Sequence, residues 1–185
     1  MGLAKLHRTA GLVLISGYYM PTTRLDTVLM SPPTIPILGD LTRYTVSPLL
    51  GWLMAPALFR QLFSPAPVTE AFKRHNPTSM TLRPWQVRAN AADTALMVPG
   101  AETLKKRYDA LNVPVIILGA PGDKIVDTQQ HATSLHRQLR HSQLRLVNGS
   151  GHMLHHTAPS QVVAAVEDLI GGDGTTSRNT TSESV

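Results

Sequence analysis

Residues 144–156 read LRLVNGSGHMLHH and contain the pattern on which the fold assignment depends. A short apolar run predicts a β-strand, and the Asn-Gly-Ser-Gly sequence at residues 148–151 then permits a tight turn. His152 follows this turn directly. A histidine just beyond a strand end can reach a pocket and transfer protons there. A surface histidine after an ordinary turn explains these residues equally well, so the rest of the chain has to decide.

Two earlier segments also have the character of buried strands. Residues 12–15, Leu-Val-Leu-Ile, and residues 113–118, Val-Pro-Val-Ile-Ile-Leu, are apolar on both faces, as in strands inside a parallel sheet. The spacing of apolar residues predicts amphipathic helices over residues 128–140 and 160–170. Because strands and helices alternate, the sequence predicts an α/β fold with parallel strands.

A long region with a helical pattern separates the first two predicted strands. Prolines divide residues 41–108 into several short predicted helices. Five aromatic residues stand among aliphatic ones in this region, and we expect them to pack in a core: Trp52, Phe59, Phe63, Phe72 and Trp85. The region is therefore interpreted as a helical insertion into the α/β unit.

The composition excludes several classes of protein. In 185 residues, 42% are hydrophobic and only 16% are charged, which is typical of a globular domain with a core. The net charge is +5, but the basic residues are scattered rather than clustered, so we expect no nucleic-acid partner. The absence of cysteine excludes disulfides and a thiol nucleophile, and we expect a cytoplasmic location. No apolar run reaches the roughly 18 residues of a membrane span.

Two side chains with complementary chemistry follow consecutive predicted strands. Asp123 comes after the turn at residues 119–122, and His152 comes after the next strand. The carboxyl ends of parallel strands meet at one edge of a sheet, and neighbouring strands lie about 4.8 Å apart. A carboxylate that binds one ring nitrogen of a histidine leaves the other nitrogen free to act as a general base. The alternative is a helix-capping aspartate beside an unrelated histidine.

These segments resemble the α/β-hydrolase family over about residues 3–170. The sequence VPVIILGAPGDKIVD, residues 113–127, is similar to the penultimate strand and acid loop of that family, and NGSGHMLHH, residues 148–156, is similar to its histidine loop. GLVLISGYYMPT, residues 11–22, resembles the strand that follows the nucleophile helix. The resemblance implies that Asp123 is the catalytic acid and His152 the catalytic histidine. The glycine usual in the acid loop falls one position later in this chain.

The same resemblance implies a division of the chain into three parts. Residues 1–40 and 109–170 would form the C-terminal part of the hydrolase core, and residues 41–108 would form a helical cap. Residues 171–185, rich in Ser, Thr and Gly, are predicted to be a disordered tail. The expected fold is therefore a partial α/β-hydrolase fold of about three parallel strands with flanking helices and an inserted helical cap.

The chain departs from the family pattern in one important respect. The family's nucleophile stands in a G-x-S-x-G sequence, and this chain contains none. Leu14 and Tyr18 occupy the glycine positions around Ser16, and Asn148 and His152 occupy them around Ser150. We therefore expect an N-terminally truncated form with little or no activity alone, arising from a misassigned start or a truncated gene.

Three functional hypotheses remain at this stage. The first is hydrolysis of an ester or a similar small apolar substrate by a nucleophile–His–Asp triad, without a cofactor. The second is a non-catalytic binding or assembly protein that uses the open sheet edge and the apolar cap as its interaction surface. In that case the strand edge at residues 12–15 would pair with a second copy or with the missing N-terminal segment. The third is a metal site at His152, His155 and His156, although this run holds no carboxylate.

Overall fold

A computed structural model describes residues 9–22 and 44–172. Three strands in this part of the chain form one sheet: β1 (Leu12–Ile15), β2 (Val115–Gly119) and β3 (Ser142–Leu146). The strand order is β1-β2-β3, and both neighbouring pairs are parallel. The predicted α/β class with three parallel strands and flanking helices is thus confirmed.

Four helices occupy the described residues between β1 and β2, and we call residues 44–108 the helical segment. They are α1 (Val46–Phe63), α2 (Glu70–His75), α3 (Thr78–Thr81) and α4 (Pro84–Lys105), followed by a 3₁₀ turn at Tyr108–Ala110. Local chemistry explains two of the starts. The hydroxyl of Thr69 accepts a hydrogen bond from the N–H of Phe72 and caps α2. Pro84 occupies the first turn of α4, where no N–H is needed.

The remaining helices follow β2 and β3. After β2, a π-helical turn at Gln129–Thr133 continues into α5 (Ser134–Gln138). After β3 come α6 (Leu154–Thr157) and α7 (Pro159–Gly172). The helix predicted over residues 128–140 is therefore divided, since the N–H of Thr133 bonds to the carbonyl of Thr128, five residues back, at 2.9 Å.

Strand β2 is buried on both faces, as its apolar sequence predicts. Ile117 packs on one side with Leu135 of α5, and both side chains are 0% exposed. Leu118 packs on the other side with Leu154 of α6, again at 0% exposure for both. Helices therefore cover the two faces of the sheet and leave its carboxyl edge for the loops that carry Asp123 and His152.

The expectation that all five aromatic residues lie in a core is wrong for the tryptophans. Phe63 and Phe72 are buried, and Phe59 packs edge-on against Phe72. Trp52 and Trp85 are 66% and 65% exposed. Helix α1 carries apolar residues around most of its circumference, and within the described structure only one side of it is covered.

Some sequence-based expectations fall on other parts of the chain. Residues 1–8 and 23–43, which belong to the predicted core segment 1–40 and the start of the predicted cap, lie outside the described residues. The predicted tail lies outside them as well from residue 173 onwards, whereas residues 171 and 172 complete α7. Within the described ranges, no helix combines the length and the hydropathy that a membrane crossing requires.

Candidate functional site

Asp123 is held by a turn that follows β2. Its own N–H donates to the carbonyl of Ala120 at 2.9 Å, which closes the turn. Its Oδ1 atom accepts hydrogen bonds from the N–H groups of Ile125 at 2.8 Å and Val126 at 3.0 Å. The side chain is only 1% exposed. Two backbone donors thus compensate the burial of the carboxylate and fix its orientation, with Oδ2 left for another partner.

His152 is presented by the turn that follows β3. The N–H of Val147 donates to the carbonyl of Gly119 at 2.8 Å and extends the contact with β2. Gly149 has φ of 76°, a left-handed conformation that glycine adopts without a steric penalty. Buried Ser150 accepts a hydrogen bond from the hydroxyl of Thr157 at 2.9 Å, which ties the turn to α6. The turn therefore holds the histidine at the carboxyl edge of the sheet.

The structure brings the two predicted site residues into direct contact. Nδ1 of His152 lies 2.9 Å from Oδ2 of Asp123. Because an ionised carboxylate only accepts, Nδ1–H is the donor in this pair and Nε2 is the unprotonated nitrogen of the neutral ring. The imidazole is 25% exposed, so it is accessible on one side. The arrangement is that of an oriented base, able to take a proton at Nε2.

The helical segment packs against the histidine loop. The N–H of Met153 donates to the carbonyl of Leu62, near the end of α1, at 3.3 Å. The ring of His156 stands edge-on to Phe72 of α2 with a centroid distance of 5.3 Å, and it lies 5.9 Å from the ring of Phe63. Backbone and aromatic contacts therefore join this loop to α1 and α2.

The neighbouring histidines provide no metal site. The rings of His155 and His156 lie 4.5 Å apart. Partial burial lowers the pKa of His155, and the positive charges of His156 and His152 lower it further. Over residues 9–22 and 44–172, no group of three or more His, Cys, Asp or Glu side chains is arranged to hold a metal ion. The third hypothesis therefore lacks a coordinating set in the described structure.

Sequence reasoning missed a buried histidine beside the first strand. His131, in the π-helical turn, is 2% exposed. Its Nδ1 atom accepts hydrogen bonds from the N–H groups of Tyr19 at 3.1 Å and Met20 at 3.2 Å. Its ring is tilted against that of Tyr18, with 4.4 Å between the ring centroids. It thereby positions the chain that leaves β1. Its position next to Ala132, on the predicted apolar face, is the only sequence signal of burial.

Ser16 is a second feature that the sequence alone does not predict. It directly follows β1 and has φ of 42°, which is uncommon for a residue other than glycine. Its hydroxyl is buried and has no hydrogen-bond partner among the described residues. Its N–H donates to the carbonyl of Leu118 at 3.0 Å. Ser16 therefore lies at the same edge of the sheet as the two loops described above.

Comparison with known proteins agrees with this architecture. The family model described as "Alpha/beta hydrolase family" matches residues 2–166. No curated protein matches the chain. Among solved structures, an alpha/beta hydrolase fold protein from Burkholderia ambifaria has a TM-score of 0.67 at 19% identity, covering 86% of this chain and 56% of its own.

Two esterases are similar in fold as well. The thermophilic esterase from Thermogutta terrifontis has a TM-score of 0.59 at 19% identity, with 91% of this chain and 59% of its own covered. The esterase from Exiguobacterium antarcticum has a TM-score of 0.61 at 13% identity, with coverage of 91% and 61%. The chain thus spans about three fifths of the length of these structures.

Proposed function

We propose that this chain, which belongs to the α/β-hydrolase family, supplies the acid and the general base for hydrolysis. The substrate would be an ester or a similar small apolar molecule. The single observation that carries this proposal is the hydrogen bond between His152 and Asp123, 2.9 Å long, which joins an accessible imidazole to a buried carboxylate. The fold similarity to esterases agrees with it but does not identify a substrate.

In this mechanism the two residues have different roles. Asp123 keeps the proton of His152 on Nδ1 and stabilises the imidazolium that forms during the reaction. Nε2 of His152 takes the proton of the attacking hydroxyl and later returns a proton to the leaving group. The nucleophile would come from a part of the hydrolase fold outside these 185 residues, since the sequence has no G-x-S-x-G. Without that nucleophile, His152 would activate only water. This reaction would be slow, because the proposed pair of Asp123 and His152 includes no hydrogen-bond donors for the oxyanion that forms.

We further propose that the helical segment is the cap over the substrate. Three large apolar side chains near the start of α1 are strongly exposed: Leu49 at 72%, Trp52 at 66% and Leu53 at 72%. A surface of this kind favours an uncharged, hydrophobic substrate.

The cytoplasmic location of the protein remains a prediction.

Ester hydrolysis by the chain itself tests the proposed base. The rate on p-nitrophenyl acetate would be compared for the unchanged chain, for His152→Ala and for His155→Ala, an exposed histidine one turn away. We expect slow hydrolysis that falls in His152→Ala and persists in His155→Ala. Equal rates in the unchanged chain and in His152→Ala would contradict a role of His152 as the base.

The exposed apolar residues also favour a second candidate, a binding or assembly protein. In the described structure β1 pairs only with β2, so one edge of β1 is open, as in strands that recruit a partner. This candidate predicts a stable oligomer whose assembly is disrupted by Val13→Lys in β1. Sedimentation of the unchanged chain as a monomer at micromolar concentration would argue against it.

A further inference from the structure

The end of α1 lies directly against the histidine loop. A Cβ atom placed on Gly151 would collide with the carbonyl oxygen of Ser64, and it would lie 2.8 Å from the carbonyl oxygen of Phe63. Both atoms belong to the backbone, so they cannot be moved by a change of rotamer. Gly151 immediately precedes His152, and the absence of its side chain is what allows the two backbones to approach so closely.

The same end of α1 also lies against the acid loop. A Cβ atom on Gly122 would stand 2.5 Å from Cδ and 3.0 Å from Cγ of Pro65, and 3.0 Å from the carbonyl oxygen of Ser150. Gly122 immediately precedes Asp123. Residues 63–65 therefore touch the residue before the aspartate and the residue before the histidine.

Aromatic packing also holds the end of α1 in place. Phe63 is 0% exposed, and its ring lies 4.9 Å from that of Phe72 in α2. Phe72 is itself 5% exposed and contacts His156 in the helix that follows the histidine loop. In the described structure neither phenylalanine forms a hydrogen bond with Asp123 or His152. An effect of this packing on the pair is therefore indirect, through residues 63–65, through His156 or through the hydrogen bond between Leu62 and Met153.

We propose that residues 63–65 of the helical segment set the spacing between the acid loop and the histidine loop, so that Ser64 and Pro65 are positioning residues for the Asp123–His152 hydrogen bond. This inference deepens the proposed function and rests on it for its catalytic meaning. Hydrogen bonds weaken steeply with small changes in length and angle. A displacement of the end of α1 would therefore release the imidazole, and the state of the helical segment would control whether His152 is oriented.

The tautomer of His152 reports this control directly. In ¹⁵N-labelled chain at alkaline pH, long-range ¹H–¹⁵N NMR distinguishes a proton on Nδ1 from a proton on Nε2. The geometry requires the Nδ1–H form while Asp123 accepts the bond, and a ring without that partner distributes its proton over both nitrogens. Assignment of the signal uses His152→Ala.

Phe72→Ala loosens the outer packing without touching Asp123 or His152. We expect the ratio of the Nδ1–H to the Nε2–H form to fall by about tenfold, the factor equivalent to about 1.4 kcal/mol. Leu96→Ala is the matched control, because Leu96 lies on α4 and is 66% exposed. Phe72→Leu, which keeps most of the volume, should restore the Nδ1–H form. An unchanged ratio in folded Phe72→Ala would overturn the proposal.

Gly151→Ala tests the contact itself, with Gly100→Ala as control, since a Cβ on Gly100 meets no atom within 4 Å. We expect the Nδ1–H form of His152 to be lost in Gly151→Ala and retained in Gly100→Ala. Retention of that form in Gly151→Ala would also overturn the proposal, and Gly122→Ala provides the same test should Gly151→Ala not fold. The proposed function fails separately: equal ester hydrolysis in the unchanged chain and in His152→Ala would refute the base, whatever the tautomer ratios show.

Discussion

Asp123 and His152 share one hydrogen bond but differ in their access to solvent. The carboxylate is 1% exposed and receives two backbone N–H groups besides the imidazole, whereas the imidazole is 25% exposed. The acid is therefore fixed by the fold, and the histidine is the member of the pair that a reactant can reach. This asymmetry leads to separate predictions for activity and for stability.

Activity should depend on His152 in any longer form of the protein that carries a nucleophile. We expect His152→Ala to lower kcat by ~10³ or more, the scale observed for members of a catalytic triad. His155→Ala should leave kcat within a few-fold of the unchanged enzyme. Steady-state kinetics on a p-nitrophenyl ester measures both. A loss below tenfold in His152→Ala would show that the histidine is misassigned.

Stability should depend on Asp123. Replacement by Ala removes the hydrogen bonds that Oδ1 accepts from the N–H groups of Ile125 and Val126, and a hydrogen bond to a charged group contributes about 1.5–3 kcal/mol. Urea unfolding should therefore show a clear loss in the free energy of unfolding. Asp93→Ala, at an exposed position of α4, is the control and should change the free energy of unfolding by less than about 0.5 kcal/mol. Equal midpoints for the two variants would contradict a structural role of the carboxylate.

The buried ring of His131 provides a third prediction. His131→Ala removes the acceptor for Tyr19 and Met20, and it should lower the free energy of unfolding by at least about 2 kcal/mol. His131→Asn offers a side-chain carbonyl in place of Nδ1 and should recover part of this loss. Thermal melts of both variants measure the difference. If Asn proves no better than Ala, packing rather than the two hydrogen bonds accounts for the stability.

At alkaline pH the stability should depend on Tyr19. Burial raises the pKa of Tyr19 to about 12, while the hydrogen bond from the N–H of Gly17 opposes this rise and Tyr108 adds to it. In the unfolded chain the phenol ionises near pH ~10. The contribution of the neutral Tyr19 phenol to the free energy of unfolding is therefore fully present below about pH 10. It is lost as the pH rises towards about 12, and the total loss is about 2–3 kcal/mol. Urea unfolding across this range should show a flatter profile for Tyr19→Phe.

His155 should contribute to stability with the opposite dependence on pH, so that its contribution is lost on acidification. Its pKa is lowered, first by partial burial and then by His156 and His152, so the folded protein binds this proton more weakly than the unfolded chain does. The corresponding stability is present above about pH 6.5 and is lost as the pH falls below that value. His155→Gln should reduce the slope of stability against pH between neutral and acidic conditions. An identical slope in the variant would contradict this contribution.

Much of the fold could be predicted because its strands are short, apolar and bounded by turns. The predicted strand at residues 12–15 coincides with β1, and the predicted last helix over residues 160–170 falls inside α7. The second strand begins at Val115 rather than at residue 113, since Pro114 has no N–H to donate to the sheet. Periodicity identifies such elements well, whereas their ends depend on individual hydrogen bonds.

The contact between Asp123 and His152 could be predicted because both follow consecutive parallel strands, but other contacts between distant residues could not. His131 is buried because the chain after β1 turns its N–H groups towards Nδ1, which no local pattern indicates. The close approach of Ser64 to Gly151 is equally invisible in the sequence, where the glycine has the appearance of a turn residue. Trp52 is 66% exposed although its own chemistry favours burial, so its position depends on how α1 packs. Tertiary contacts decided these positions.

The order of the strands also has a consequence for how the chain is made. Leu12 of β1 pairs with Val115 of β2, about a hundred positions later. During synthesis, β1 leaves the ribosome long before its partner exists, and the whole helical segment emerges in between. Contacts between residues so far apart in sequence form slowly. An apolar strand that is still unpaired during this time is prone to aggregation. We expect the nascent chain to need a chaperone until β2 has emerged.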